Sequence, residues 1–317
     1  MTTLVGCTAD SHEDKPISFT SDDLLNSLEI LAHDSLEGRG FATAGNRKAQ
    51  QFINDQFAQL RLEPATGDSY LQPFNHTISK NLRQWLYPIE DPGKDLVNVP
   101  DTTLSGANIV AKITGESSKA IVITAHYDHL GIRNGEIYNG ADDDASGTAA
   151  LFSIASYFAI NKPYHTLFIA AVDAEEIGSP GCKYLADNFP GGIENVVLNI
   201  NMDMIAHNDS SELWASGTYH YPVLKEPILG IDSDISLRFG HDDPTNKEVD
   251  DWTRSSDHRI FHDLGIPFIY FGVEDHQDYH EATDTFENIN QSFYLNAVDL
   301  ITEAIVKYDI FLKSTEE

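Results

Sequence analysis

From Ser21 onward the apolar residues Leu24, Leu28 and Leu31 recur at intervals of four and three, which predicts a helix with Ser21 as its N-cap. A second helix is predicted over 46–60, with Phe52, Phe57 and Leu60 facing inward. Between about 64 and 106 the periodicity breaks into Pro, Gly, Asp and Asn clusters with scattered aromatics, the pattern of strands and loops at a sheet edge. A regular alternation follows. Short apolar runs at 108–113, 120–125, 166–172, 196–202 and 267–271 read as strands, and helical stretches separate several of them, most clearly 149–158. Strands unbroken by charge must be covered on both faces, so the predicted fold is α/β, a mostly parallel, mixed sheet with helices on both sides, and nothing in the pattern forces more than a single domain. The stripe Ala297, Leu300, Ile301, Ala304, Ile305 and Tyr308 predicts a closing helix, and the polar stretch 206–257 reads as irregular loops over one end of the sheet.

Composition narrows the partners. Twenty Lys and Arg against 50 Asp and Glu give a net charge of −30, which repels phosphate backbones and anionic lipid, so nucleic acid and membrane surfaces are not expected as partners. No apolar run approaches the roughly 18 residues that span a bilayer. With only Cys7 and Cys182, the chain is not a disulfide scaffold. Leu4-Val5-Gly6-Cys7 matches the lipobox at which bacterial lipoproteins are cleaved, although the basic and long apolar regions of a leader are missing. Either it is the end of such a leader or a chance match. On the first reading, residues 1–18 are a leader remnant and tether, 19–317 is the folded domain, and the protein is an exported, periplasmic or extracellular monomer, anchored to a membrane only through lipid on Cys7.

The chemistry-bearing residues fall just after predicted strands, where α/β sheets place their sites. His126 and Asp128 follow the second strand of this series, Glu175 and Glu176 the third and Asp203 the fourth, and His280 lies soon after the fifth. Gly140-Ala141-Asp142-Asp143-Asp144-Ala145-Ser146-Gly147 adds three carboxylates at the mouth of a helix. Each has a plain structural reading: Asp144 as a helix cap, Asp203 as a turn residue, Glu175-Glu176 as a charged loop. Together they would crowd repelling charges with no structural gain, unless divalent metal binds among them. Imidazole and carboxylate without thiolate suits Zn²⁺, with Mn²⁺ or Co²⁺ fitting similar ligands.

The order His-x-Asp, Asp-Asp-Asp-Ala-Ser-Gly, Glu-Glu and Tyr-His resembles the co-catalytic zinc aminopeptidases of metallopeptidase family twenty-eight, whose relatives include glutamate carboxypeptidase and glutaminyl cyclase. The resemblance also takes in the segment 31–39 that ends at Arg39. It implies two zinc ions per chain, with His126 and Asp203 on one, Glu176 and His280 on the other, and Asp143 bridging them through a cis Asp143–Asp144 peptide bond. It further implies Glu175 as general base, Tyr279 polarising the tetrahedral intermediate, and Asp128 and Asp284 orienting His126 and His280. Asp257 and His258 match a segment near the substrate pocket, and Arg254 is the nearby basic residue that a carboxypeptidase would need. The implied reaction is removal of the first residue from peptides with a free N-terminus. Glutaminyl cyclisation, a carboxypeptidase and a non-catalytic peptide-binding relative are the alternatives. Cys182, after a Ser-Pro-Gly turn, reads as a core residue outside the chemistry.

Overall fold

The computed structural model describes residues 19–79 and 101–316; Cys7 and the tether expected at 1–18 lie outside the described residues. The first helix, α1, spans Ser21–Leu31, but its N-cap is Thr20 rather than Ser21. Thr20 Oγ1 accepts from the Asp23 N–H and the Asp23 carboxylate accepts from the Thr20 N–H, a closed capping box that fixes the start one residue earlier. Helix α2, Ala44–Gln59, is capped by Thr43, whose hydroxyl accepts from the Asn46 N–H. Strands β1 (Glu63–Pro64), β2 (Leu71–Ile78), β3 (Thr102–Ile113) and β4 (Ser117–His126) follow, then a small hairpin of β5 (Gly131–Arg133) and β6 (Glu136–Tyr138). Helix α3 (Gly147–Ile160), β7 (His165–Val172), α4 (Pro180–Asp187) and β8 (Val196–Met202) form the central alternation. The chain closes with β9 (Glu212–Ser216), β10 (Ser236–Phe239), α5 (His258–Asp263), β11 (Phe268–Gly272) and α6 (Gln291–Glu316).

Nine strands join in the order β1-β3-β7-β4-β8-β11-β9-β10, with β2 also on β3. The centre, β7-β4-β8-β11, is parallel, and antiparallel pairs flank it at β3-β7 and β11-β9. Two stretches of 206–257 read as irregular are in fact β9 and β10, which extend this sheet. Each is only four or five residues long, too short for periodicity to separate from loop.

Alternate residues of the central strands enter two different cores, as a pleated sheet covered on both faces requires. Ile121, Ile123, Ile169 and Ile200 pack with Leu28 of α1, Phe57 of α2, Phe152 of α3 and Ile301 of α6. Val122, Phe168 and Ala170 pack on the opposite face with Cys182 and Leu185 of α4 and Phe261 of α5. Cys182 is therefore a free, fully buried core thiol, as its sequence context predicts. Because β4, β7, β8 and β11 run the same way, their C-terminal ends open on one edge of the sheet.

Candidate metal centre

All five ligands implied by the sequence gather at that edge. His126 is the last residue of β4, Asp203 follows β8 directly, Glu175 and Glu176 form a helical turn after β7, and Asp143 precedes α3. His280 comes from the loop after β11. The His126 Nδ1–H donates to the backbone carbonyl of Asp128 (3.0 Å), which leaves the Nε2 lone pair facing the site. There Nε2 lies 3.2 Å from Asp143 Oδ1 and 3.4 Å from Asp203 Oδ1. The other oxygen of Asp143 faces a different ring: Oδ2 is 3.0 Å from His280 Nε2, which is 3.6 Å from Glu176 Oε2. Two ligands on one tetrahedral zinc, each at about 2.0–2.1 Å, stand about 3.3 Å apart. In both trios the imidazole-to-carboxylate distances, 3.0–3.6 Å, bracket that value, and the two oxygens of Asp143 face one imidazole each, as a bridge must. Donor types and spacing fit a pair of zinc ions. The Asp143–Asp144 peptide bond is cis, as expected.

The surrounding residues hold this backbone in place. Asp144 has the capping role its position suggested, accepting from the Gly147 N–H at 2.8 Å, and its other oxygen accepts the His126 N–H at 3.1 Å. The Asp128 carboxylate accepts the N–H of Glu175 at 2.9 Å and of Glu176 at 3.4 Å, so it fixes the Glu175-Glu176 turn, while the His126 ring is held by the Asp128 backbone carbonyl rather than by this carboxylate. Asp284 departs from the expectation. Its carboxylate accepts the backbone N–H groups of Asp142 and Asp143, at 2.9 and 3.1 Å, and so orients the bridging segment rather than the His280 ring. Ala174, Met204 and His280 take left-handed backbone angles (φ 69, 61 and 57°), each costing about 1–2 kcal/mol for a residue with a side chain, and all adjoin or belong to the site. Gly140 is also left-handed, and a Cβ there would lie 2.1 Å from the Asp143 carbonyl oxygen and 2.5 Å from the His129 ring, so only glycine fits.

The charge balance calls for cations. Asp128, Asp142, Asp143, Asp144, Asp203, Asp257 and Asp284 are all buried, and Arg39 is the one buried Arg or Lys among the described residues. Arg39 donates to the carbonyls of Tyr127, Leu31, Asn139 and Gly140 at 2.5–2.8 Å. Its positive charge reaches Asp143, Asp284, Asp144 and Asp128. Burial pulls the His280 ring down, but the carboxylates of Asp143 and Glu176 outweigh it and push its pKa up to about 10. Burial and Asp143 raise the Glu176 carboxyl, yet His129 and His280 hold it down at about 2. Burial lifts the Glu175 carboxyl well above the ordinary range, opposed by His126 and reinforced by Asp257, Glu176 and Asp203.

A cavity of about 390 Å³ opens over the site, lined by Glu175, Tyr279, Trp252, Met204 and Val273 besides the ligands, with Asp250, Asp251 and Asp275 at its walls. Tyr279 stacks on the His280 ring with centroids 4.0 Å apart. The three residues offered for the substrate pocket do not line it. Arg254 is exposed and ion-paired with Asp263. Asp257 and His258 are buried behind the wall, with His258 Nε2 donating to the Trp252 carbonyl at 2.8 Å. Two histidines escaped the sequence reading. His129 is buried beside Glu176, and His276 Nε2 pairs with Asp142 Oδ2 at 2.9 Å while its ring stacks on His207. His129 lies one residue beyond a recognised ligand motif, and that proximity was the available signal.

A family model described as Peptidase family M28 matches residues 108–305. A probable zinc metalloprotease of Pyrenophora tritici-repentis is 36% identical over 107 residues, covering 31% of this chain and 22% of that protein. The Bacillus subtilis aminopeptidase YwaD is 28% identical over 201 residues, 58% of this chain and 40% of that protein. The chain thus spans well under half the length of these curated relatives. Among solved structures, an aminopeptidase from Aneurinibacillus sp. strain AM-1 superposes with a TM-score of 0.67 at 16% identity, covering 90% of this chain and 93% of that one, which establishes the shared fold.

Proposed function

The chain belongs to peptidase family M28, and from that premise we propose that it is a two-zinc aminopeptidase, releasing the N-terminal residue of peptides with a free α-amino group. The observation that carries the reading is the Asp143 carboxylate, whose two oxygens face separate imidazoles, His126 and His280, at 3.2 and 3.0 Å. His126, Asp203 and Asp143 would hold one ion, and Glu176, His280 and Asp143 the other. Bound there, the ions would acidify a water and polarise the scissile carbonyl.

The protein's own groups supply the rest. Glu175 lines the cavity, and the environment that raises its pKa suits a carboxylate that takes a proton from water and returns it to the leaving amine. Its backbone N–H is fixed by Asp128, and its Oε1 is reached by the Ser179 hydroxyl at 3.5 Å, so its position does not depend on the ions. Burial keeps the Tyr279 hydroxyl protonated, leaving it free to donate to a developing oxyanion. The carboxylates of Asp250, Asp251 and Asp275 at the cavity wall would receive the substrate ammonium. A carboxypeptidase would need a cation at that wall, and Arg254 is turned away toward Asp263.

The test combines metal analysis by mass spectrometry with turnover of amino-acid p-nitroanilides and their N-acetylated forms. Two equivalents of zinc, with cleavage of the unblocked set alone, is the expected result. Cleavage of both sets alike would overturn the aminopeptidase assignment, and one equivalent would overturn the two-ion centre.

A further inference from the structure

We propose that His129 is a ligand of the second ion, so that this site carries two imidazoles, His129 from within the protein and His280 from the solvent side. The assignment rests on the two-ion reading above and adds a donor to it.

The His129 side chain is fully buried, and neither ring nitrogen has a hydrogen-bond partner. Leaving a polar ring unpaired in the interior costs stability, so the protein gains nothing from this arrangement unless something else meets the ring. What the ring meets is a pair of oxygens. Its Nδ1 lies 2.8 Å from Glu176 Oε1 and 3.7 Å from Asp143 Oδ2. Despite the 2.8 Å approach, Glu176 Oε1 is itself without a hydrogen-bond partner, so the ring N–H direction misses it. Close approach without alignment is the geometry of two atoms directed at a third point between them. His129 Nδ1, an Asp143 oxygen and a Glu176 oxygen all lie within 4.8 Å of one another, near enough to share one ion.

The backbone fixes that pose. The face of the His129 ring rests against Gly140, where a Cβ would come within 2.5 Å, and the His129 N–H donates weakly to the carbonyl of the buried Arg39 at 3.4 Å. The two imidazoles differ in their surroundings. His280 is 37% exposed on a left-handed loop residue, whereas His129 has no exposed side-chain surface.

Cobalt provides the probe, because its visible absorption reports ligand number and type. Metal-free protein is titrated with Co²⁺ and Zn²⁺ as wild type, His129→Ala and His129→Asn, with circular dichroism confirming the fold. Partners outside the coordination shell typically change affinity 10–100-fold, so loss of a direct ligand should weaken the second equivalent by roughly 100-fold or more. The Co²⁺ spectrum of that equivalent should change as well, while the first equivalent stays as in wild type. His129→Asn keeps an N–H donor near the place of Nδ1 but no imidazole, and should behave like His129→Ala. Recovery of the wild-type affinity and spectrum by Asn would make His129 a hydrogen-bond donor to Glu176 and overturn the ligand assignment, as would two tight equivalents with unchanged spectra in His129→Ala. A wild type that takes up one equivalent would instead defeat the two-ion reading itself.

Discussion

Glu175 and Glu176 are adjacent and chemically identical, yet their side chains meet different partners, so exchanging each carboxylate for an amide should have separable consequences. Glu175→Gln removes a proton acceptor that lines the cavity but stands outside the two ligand trios. Its backbone anchor on Asp128, at 2.9 Å, is untouched by the substitution, and an amide oxygen still accepts from Ser179. General acid–base groups contribute about 10²–10⁴-fold, or about 3–5 kcal/mol of barrier, so kcat should fall by that factor while zinc content and Tm stay near wild type. Glu176→Gln removes a negative charge 3.6 Å from the His280 ring and 2.8 Å from His129, which weakens the second site. Zinc stoichiometry should drop from two toward one, and residual activity should rise with added metal. Both variants are assayed for bound zinc by mass spectrometry and for turnover of leucine p-nitroanilide with and without added zinc. If Glu175→Gln lost metal while Glu176→Gln kept both ions, the two roles would be exchanged. Full turnover in both variants would refute the catalytic reading.

Arg39→Met would strand the four carbonyls of Leu31, Tyr127, Asn139 and Gly140, and at about 1–3 kcal/mol each the loss should be at least about 4 kcal/mol in urea unfolding, with Arg39→Lys partly restoring it; a loss under about 1 kcal/mol would show that water replaces the guanidinium. Burial holds the His258 pKa down at about 3, below its unfolded value of about 6.5, so its contribution to stability is complete above about pH 6.5 and is lost as pH falls toward 3. Between pH 7 and 4.5 wild type should lose about 2–3 kcal/mol more than His258→Gln, and parallel losses would contradict this. Cys182→Ala should leave kcat unchanged, since the thiol packs in the core and donates to the Asp257 carbonyl at 3.6 Å without lining the cavity, and a ten-fold fall with the fold intact would place it in the chemistry.

Periodicity and composition were enough to read the layered α/β architecture, because a strand buried on both faces, such as 120–125 or 196–202, has no other way of hiding a continuous apolar run. The same logic placed the polar residues at strand ends, and the motif order singled out the five residues and the Glu175 carboxyl that the fold brings to one edge of the sheet. Residue type and spacing along the chain, however, carry no information about direction. The family resemblance implied Asp284 as a partner for the His280 ring, but the fold turns its carboxylate onto the N–H groups of Asp142 and Asp143. Arg254 and His258 lie in one short segment, and a six-residue helix starting at His258 buries that ring while Arg254 points outward to Asp263. Arg39 and His129 are distant from most of their partners in sequence. The Arg39 guanidinium bonds carbonyls as far away as Gly140, and His129 meets Glu176 only because β4 and β7 run side by side and in parallel. Those long-range pairings, each set by sheet register and by the few glycines that let the backbone approach, are what the tertiary structure alone decided.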